Sequence, residues 1–393
     1  MKQGLEIKKL GEVCTFRRGL TYTKGDEVEF SENCVLRSNN IDLDTMSIVL
    51  DDLKCVRKDL AIGEDKIVKP NTILVCMSNG SKQHIGKVAF IDREYGYAFG
   101  GFMGLIIPQS IFPKYVYYSC LSPSYKHFLR GIGNGANITN LKFSNLSNYT
   151  IPVPPLSEQE RIVAELDLLS DVIAKKREQL KQLDTLAQSI FYDMFGDPIT
   201  NEKGWEQVSL VDICKNTGVY GAGSSSIPKQ PHRPRYIRIT DILDSGDLND
   251  DFVVSSNIED DHTYRLNVGD ILFARSGATV GKTYLYRGKE AQIHAGYLIK
   301  FSLDILHVNP LFIFYITKNR SYKLWISNQI IGVAQPNINA QKYGKLPIIL
   351  PPLALQQQFA SMIESIEKQK ELIKQSLSEV QQLFDSRMDY YFG

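Results

Sequence analysis

The segment Gly277-Ala278-Thr279-Val280-Gly281-Lys282-Thr283 holds the residue types of a phosphate-binding loop. Such a loop needs four residues between its glycines, so that backbone N–H groups converge on the phosphates, and a helix behind it. Here three residues separate Gly277 from Gly281, Ser276 stands where the first glycine belongs, and Tyr284-Leu285-Tyr286 reads as a strand. A β-turn leading into a strand is the better reading. Two Pro-Pro pairs, Val153-Pro154-Pro155-Leu156 and Leu350-Pro351-Pro352-Leu353, lack the preceding polar residue and following aromatic with which a base-amino methyltransferase holds its flipped base. The histidines His84, His127, His232, His262, His294 and His307 have no metal-ligand spacing. Cys14, Cys34, Cys55, Cys76, Cys120 and Cys214 contain no CxxC pair and form no disulfide framework, so reduced thiols in a cytosol are expected. Asp51-Asp52 and Glu259-Asp260-Asp261 read as solvated loops. No catalytic residue and no metal ligand is nominated.

Local basic and amide groups fit nucleic-acid contact instead. Arg233, Arg235 and Arg238 crowd a Pro-rich segment with Lys229 and His232, after the flexible Gly221-Ala222-Gly223-Ser224-Ser225-Ser226. Arginine there suits phosphate contact or bidentate guanine readout. Arg17, Arg18 and Lys24 lie in the related early loop of the first half. Ser78 and Asn79, with Lys82, Gln83 and Lys87, match a later turn holding Arg275, Ser276 and Lys282. Gln335 and Asn337 have the amide chemistry for adenine edges. An ordinary exposed loop is the competing reading for each. The net charge of +1 gives no global argument for DNA, so any basic surface is local.

These loops recur because the chain repeats itself. Pro154-Pro155-Leu156 returns as Pro351-Pro352-Leu353, and Phe195-Gly196 as Phe392-Gly393, both at a shift of 197 residues. Leu36-Arg37-Ser38-Asn39-Asn40-Ile41 resembles Ile237-Arg238-Ile239-Thr240-Asp241-Ile242. Ile73-Leu74-Val75 parallels Ile271-Leu272-Phe273, and Phe99-Gly100-Gly101-Phe102 sits against His294-Ala295-Gly296-Tyr297. Short β-branched and aromatic runs bounded by Gly, Asn, Asp and Ser predict strands and turns. Residues 115–130 and 312–328 predict helix. Each copy is therefore expected to be α+β with a largely antiparallel sheet. With 43% apolar and 23% charged residues, a soluble protein is expected, and no apolar stretch is long enough for a membrane span.

Each copy is followed by a heptad run. Ile162, Leu166, Leu169, Ile173, Leu180, Leu183 and Ile190 form one seam, with Lys176 as a polar intruder and Ala187 and Met194 completing the steps. Phe359, Ile363, Ile366, Ile373, Leu377, Val380 and Phe384 form the other, interrupted by Lys370 and Arg387. A single helix cannot bury such a stripe, so the two are expected to pack together. Ser157 with Glu160 predicts a capping box at the first helix. About 40 residues at 1.5 Å each would make a rod on the order of 60 Å.

The run Ile151-Pro152-Val153-Pro154-Pro155-Leu156-Ser157-Glu158-Gln159-Glu160-Arg161-Ile162 resembles the start of the spacer helix in specificity subunits of type I DNA restriction-modification systems. The second copy keeps the prolines, the leucine and a glutamine, but has Leu355 in place of the glutamate. Gly332-Val333-Ala334-Gln335-Pro336-Asn337-Ile338 resembles a further family run, of which Gly135-Ala136-Asn137-Ile138 is a looser version. The resemblance implies two target-recognition domains, at 1–155 and 198–352, and two antiparallel coiled-coil spacer helices, at 156–197 and 353–393, in a pseudo-twofold arrangement. It implies a non-catalytic reader of a bipartite double-stranded DNA site in the cytoplasm. Two modification (methyltransferase) subunits would bind S-adenosylmethionine, which this chain would not, and two restriction (motor-nuclease) subunits are an optional addition. A protein-interaction scaffold with duplicated binding domains is the rival.

Overall fold

The computed structural model describes residues 6–132, 140–331 and 336–393, without the Lys82 side chain. Its chain divides into two compact units, Met1–Arg177 with Gln375–Gly393, and Glu178–Lys374. Each unit holds one α+β domain and one stretch of each long helix.

In the first unit an antiparallel sheet runs in the order Cys14–Arg18, Met103–Pro108, Thr72–Cys76, Val88–Ile91. A second sheet orders Glu27–Val28, Lys54–Val56, Cys34–Leu36 and Ala98–Phe99, its last pair parallel. Every residue of Thr72–Cys76 is buried, because both faces of the strand are covered. Ile73 and Val75 face the helices, packing with Tyr115, Val116, Ile162 and Leu166. Leu74 and Cys76 face the other way, toward Leu36, Phe99 and Leu105. A strand covered on both sides reads as an unbroken apolar run, which is what Ile73-Leu74-Val75-Cys76 shows. The second unit repeats the plan around Asp270–Ala274, whose Ile271 and Phe273 face one cluster and Leu272 and Ala274 the other.

The predicted helices at 115–130 and 312–328 are each broken in two: Pro113–Ser119 and Pro123–Ile132, then Pro310–Ile316 and Arg320–Ile330. Pro123 lacks the N–H that would continue the first. In the second, the Thr317 hydroxyl donates to Phe314 O at 2.6 Å and Asn319 takes the N-cap position of the next helix.

Both long helices have 40 residues, Leu156–Phe195 and Leu353–Phe392. All the predicted seam residues are buried or half-buried. Within the first unit, Arg161 and Glu165 meet Tyr391, and Glu165 pairs with Arg387 at 2.9 Å. Within the second, Phe195 packs on Phe359, and Asp184 pairs with Lys370 at 2.7 Å. The two stretches in each unit thus run antiparallel. The polar intruders Lys370 and Arg387 are satisfied by carboxylates on the opposite helix, which fixes register rather than breaking the seam. The heptad pattern missed one stripe. Phe191, Phe195, Met388 and Phe392 are buried more completely than Ile190 and Met194, because that face packs against the domain. Gly196 ends the first helix with φ +74°, its N–H donating to Tyr192 O at 2.8 Å.

The capping box is not formed. The first helix begins at Leu156, so Ser157 already lies inside it, and neither Ser157 nor Glu160 makes a capping hydrogen bond among the described residues. A glutamine holds each entry instead. Gln159 accepts from Phe112 N at 2.8 Å and donates to Pro154 O at 2.8 Å. Gln356 does the same with Asn309 N at 2.9 Å and Pro351 O at 2.8 Å. Phe112 and Asn309 are the N-cap residues of Pro113–Ser119 and Pro310–Ile316. Each amide therefore ties the root of a long helix to the start of a domain helix.

Two further expectations are corrected. Cys34 and Cys55 are registered partners on antiparallel strands, Cα atoms 4.0 Å apart, and are joined as a disulfide. The pairing is made by the sheet and is invisible in the spacing. Asp260 and Asp261 are buried rather than solvated: Asp260 accepts from the Ser255 hydroxyl, and Asp261 binds Arg233.

Candidate nucleic-acid interface

The same exposed tip is built twice. In the first unit, strand Ala98–Phe99 ends in Gly100-Gly101-Phe102, which turns the chain into Met103–Pro108. Met103 N donates to Gly100 O at 2.8 Å, while Met77 N and Ser78 N both donate to Phe102 O, at 2.9 and 3.2 Å. In the second, His294 leads through Ala295-Gly296-Tyr297 into Leu298–Ser302; Leu298 N donates to Ala295 O at 2.8 Å and Arg275 N to Tyr297 O at 3.0 Å. Glycine is required beside each turn. A Cβ on Gly19 would lie 2.0 Å from Gly100 O, and one on Gly221 would lie 2.1 Å from His294 O. Backbone packed this closely makes the tip stiff.

Around the first tip, Arg17 and Arg18 are exposed at the end of their strand, and Arg18 Nε reaches Gly101 O at 3.5 Å. Ser78 is half-buried and bridges Asn140; Asn79 donates to the Ser38 hydroxyl at 2.7 Å. Lys24 and Gln83 are exposed in short turns, and Lys82 shares the turn with Gln83. At the second tip the Arg275 guanidinium lies over the Tyr220 ring at 4.9 Å and its Nε reaches Asn337 Oδ1 at 3.4 Å. Ser276 bridges the exposed Asn337. Among the described residues Arg18 and Arg275 form no ion pair with a carboxylate, which leaves their charge available. Gln335 lies outside the described residues.

Five of the candidate residues are engaged within their own domain. Arg233 is bidentate to Asp261, with Nε–Oδ2 at 2.7 Å and Nη2–Oδ1 at 2.8 Å. Arg235 is buried, donating to Asn249 O at 2.6 Å and Asp251 O at 3.1 Å. Arg238 forks onto the fully buried Asp241, at 2.7 and 3.1 Å, and also pairs with Asp251. Hydrogen bonding to Asp241 holds the Arg238 guanidinium well above its ordinary range. Their charge is spent inside the domain. Lys87 is buried and donates to Ile41 O at 2.8 Å, and burial lowers its ammonium from the usual range. Its counterpart Lys282 donates to Ile242 O at 3.2 Å and pairs with Asp244 at 3.0 Å. Both lysines pin a loop in the same way.

Phe102 and Tyr297, which residue type alone does not mark as nucleic-acid contacts, are 72% and 62% exposed on the two tips. The matched Gly-Gly-Phe and Ala-Gly-Tyr runs were the available signal. The Gly277–Thr279 turn leads into strand Thr283–Leu285, as the short glycine spacing predicts. His294 is buried with its ring nitrogens 3.0 Å from Tyr264 O and 3.3 Å from Val219 O, and burial pushes it down to about 4. A cleft of about 1070 Å³ in the second unit has several lysines, but Lys282, Lys370 and Lys374 are paired with Asp244, Asp184 and Asp247. No cluster of three His, Cys, Asp or Glu suited to a metal occurs among the described residues, and no helix there is long and apolar enough to cross a membrane.

Residues 2–184 and 202–382 both match the family described as type I restriction modification DNA specificity domain. The specificity subunit of the type I restriction enzyme StySPI of Salmonella potsdam is 25% identical over 398 residues, spanning 93% of this chain and 82% of that protein. The EcoKI specificity subunit of Escherichia coli (strain K12) is 28% identical over 209 residues, 51% of this chain and 44% of that one. Among solved structures, the crystal structure of a type I restriction-modification system S subunit from M. genitalium has a TM-score of 0.60 at 13% identity, covering 100% of this chain and 98% of that one. At that identity the likeness is one of fold.

Proposed function

Because this chain belongs to the type I restriction-modification DNA specificity family, we propose that it is the sequence-reading subunit of such a system, with one domain for each half of a bipartite duplex site. The observation that carries this reading is the duplicated tip, on which Arg18 and Arg275 form no ion pair with a carboxylate among the described residues, while Arg233, Arg235 and Arg238 are engaged within their domain. Arginine and asparagine beside an exposed ring form a surface suited to base edges in a groove. Recognition domains at 1–155 and 198–352 and spacer helices at 156–197 and 353–393 complete the reading.

The antiparallel helix stretches within each unit support a coiled-coil spacer that sets the unread gap and docks two modification subunits. Methyl transfer and S-adenosylmethionine belong to those partners, and any restriction subunits join the same cytoplasmic assembly. With a net charge of +1, the chain alone holds DNA weakly and the assembly holds it tightly.

The test is selection from a random bipartite duplex library by the chain together with its modification subunit. Enrichment of a two-part motif is expected. Retention without any enriched sequence would favour a protein-interaction scaffold.

A further inference from the structure

Phe102 and Tyr297 have no role in maintaining either domain's core, yet both copies place a large ring at the same point and leave it in solvent. Single exposed apolar residues are ordinary on protein surfaces. Recurrence is not ordinary here, since the copies differ at most positions: the turn is Phe99-Gly100-Gly101-Phe102 in one and His294-Ala295-Gly296-Tyr297 in the other. What survives is a glycine before an aromatic residue, with the same backbone hydrogen bonds behind it.

The support is rigid in both. Leu20 N donates to Phe99 O at 2.7 Å and Ala222 N to His294 O at 2.9 Å, while Gly100 N and Ala295 N each donate at 2.9 Å to Leu36 O and Ile237 O. The ring is thus held out on a stiff tip, where little conformational entropy is lost on binding. Charge nearby points to the ligand. The Arg18 guanidinium touches the carbonyl of the residue before Phe102; the Arg275 backbone N–H bonds the carbonyl of Tyr297, while its guanidinium lies over the Tyr220 ring at 4.9 Å. A cation beside an exposed ring matches a phosphate-edged groove that presents apolar base surface.

We propose that Phe102 and Tyr297 are base-reading residues, each making apolar contact with base edges in one half of the duplex site. This rests on the DNA-recognition reading above and adds to it the residues that discriminate sequence. Arg18 and Arg275 hold the backbone or a guanine alongside, and the ring supplies discrimination that charge cannot.

The experiment uses the full chain with its modification subunit and compares wild type with Phe102→Ala, Tyr297→Ala and Tyr297→Phe. Library selection reads the motif, and titration of the selected duplex at several salt concentrations reads affinity. Phe102→Ala should relax one or more positions in one half-site only, and Tyr297→Ala in the other half only. Affinity for the intact site should fall by roughly five- to a hundred-fold. The slope of affinity against salt should not change, because no phosphate contact is lost. Tyr297→Phe should keep the wild-type motif. Thermal melting of each variant should match wild type, since the rings are exposed.

An unchanged motif and affinity in both alanine variants would overturn the inference while leaving the wild-type enrichment, and so the functional reading, in place. Equal weakening on selected and random duplex would also overturn it, because the rings would then contribute grip without discrimination. If wild type itself enriches no sequence, the functional reading fails and this inference fails with it.

Discussion

Removing the Gln356 amide should destabilise the second unit by about 2–4 kcal/mol. The side chain is 0% exposed and makes two hydrogen bonds, from Asn309 N at 2.9 Å and to Pro351 O at 2.8 Å. Gln356→Ala leaves one buried N–H and one buried carbonyl unpaired, each costing roughly 1–3 kcal/mol, with some relief from local rearrangement. Gln159→Ala should cost less, about 1–3 kcal/mol, because its site borders a cleft of about 710 Å³ through which water can replace the lost partners. Gln356→Glu is the informative control. Its carboxylate can still accept from Asn309 N, but its second oxygen faces Pro351 O and needs a proton there. The folded state therefore raises the pKa of the introduced group above its unfolded value. Stability should be greatest in acid and be lost as pH rises.

Urea unfolding followed by tryptophan fluorescence checks this directly. The chain has two tryptophans, Trp205 and Trp325, and both lie in the second unit. The midpoint for Gln356→Ala should fall with an unchanged slope. A shift worth less than about 0.5 kcal/mol would refute the reasoning, showing that backbone relaxation or water satisfies both groups without the glutamine.

Arg238→Ala and Arg275→Ala should separate structure from recognition. The first leaves fully buried Asp241 without its cation and should destabilise the fold by roughly 3–5 kcal/mol, read by thermal melting. The second should leave melting unchanged and weaken DNA binding with a shallower salt dependence, read by titration. His294 is depressed to about 4, so below its ordinary 6.5 the unfolded chain binds a proton that the folded chain does not. Stability should therefore fall as pH drops from 6.5 toward 4, by up to roughly 3 kcal/mol, and a His294→Gln variant should flatten that slope in urea unfolding. Lys370→Met should be neutral or stabilising, since an apolar residue of similar length replaces a half-desolvated ion pair, and denaturation of the variant measures it. Inserting helical residues after Leu180 should change the unread gap in the selected motif and spare both half-sites; an unaltered gap would reject the spacer as a ruler.

Much of the architecture was legible because it is periodic or repeated. The seams from Ile162 and Phe359 recur at helical spacing, and a side chain's place on a helix follows from its position alone. The shift of 197 residues shared by both ends of the long helices exposed the duplication, and the matching strands around Ile73 and Ile271 followed at nearly the same spacing. Functional residues were less legible. Residue type marked Arg233, Arg235 and Arg238 as DNA contacts, but whether a guanidinium is free depends on what faces it. Asp261 lies 28 residues from Arg233, and nothing local announces the pairing. The Arg238 pairing was closer to hand, since Asp241 is three residues on and Asn40 stands in the same relation to Arg37.

What the amino-acid order determined unaided was the set of elements and their duplication, since propensity and apolar period act over a few residues at a time. Tertiary structure alone decided which charges were spent and which remained available. It brought Cys34 against Cys55, buried Lys87 beneath a distant carbonyl, and turned two glutamines into fasteners at the helix roots. It also left Phe102 and Tyr297 in water. Burial and hydrogen-bond partnership are properties of neighbours in space, and those neighbours come from segments that only folding brings together.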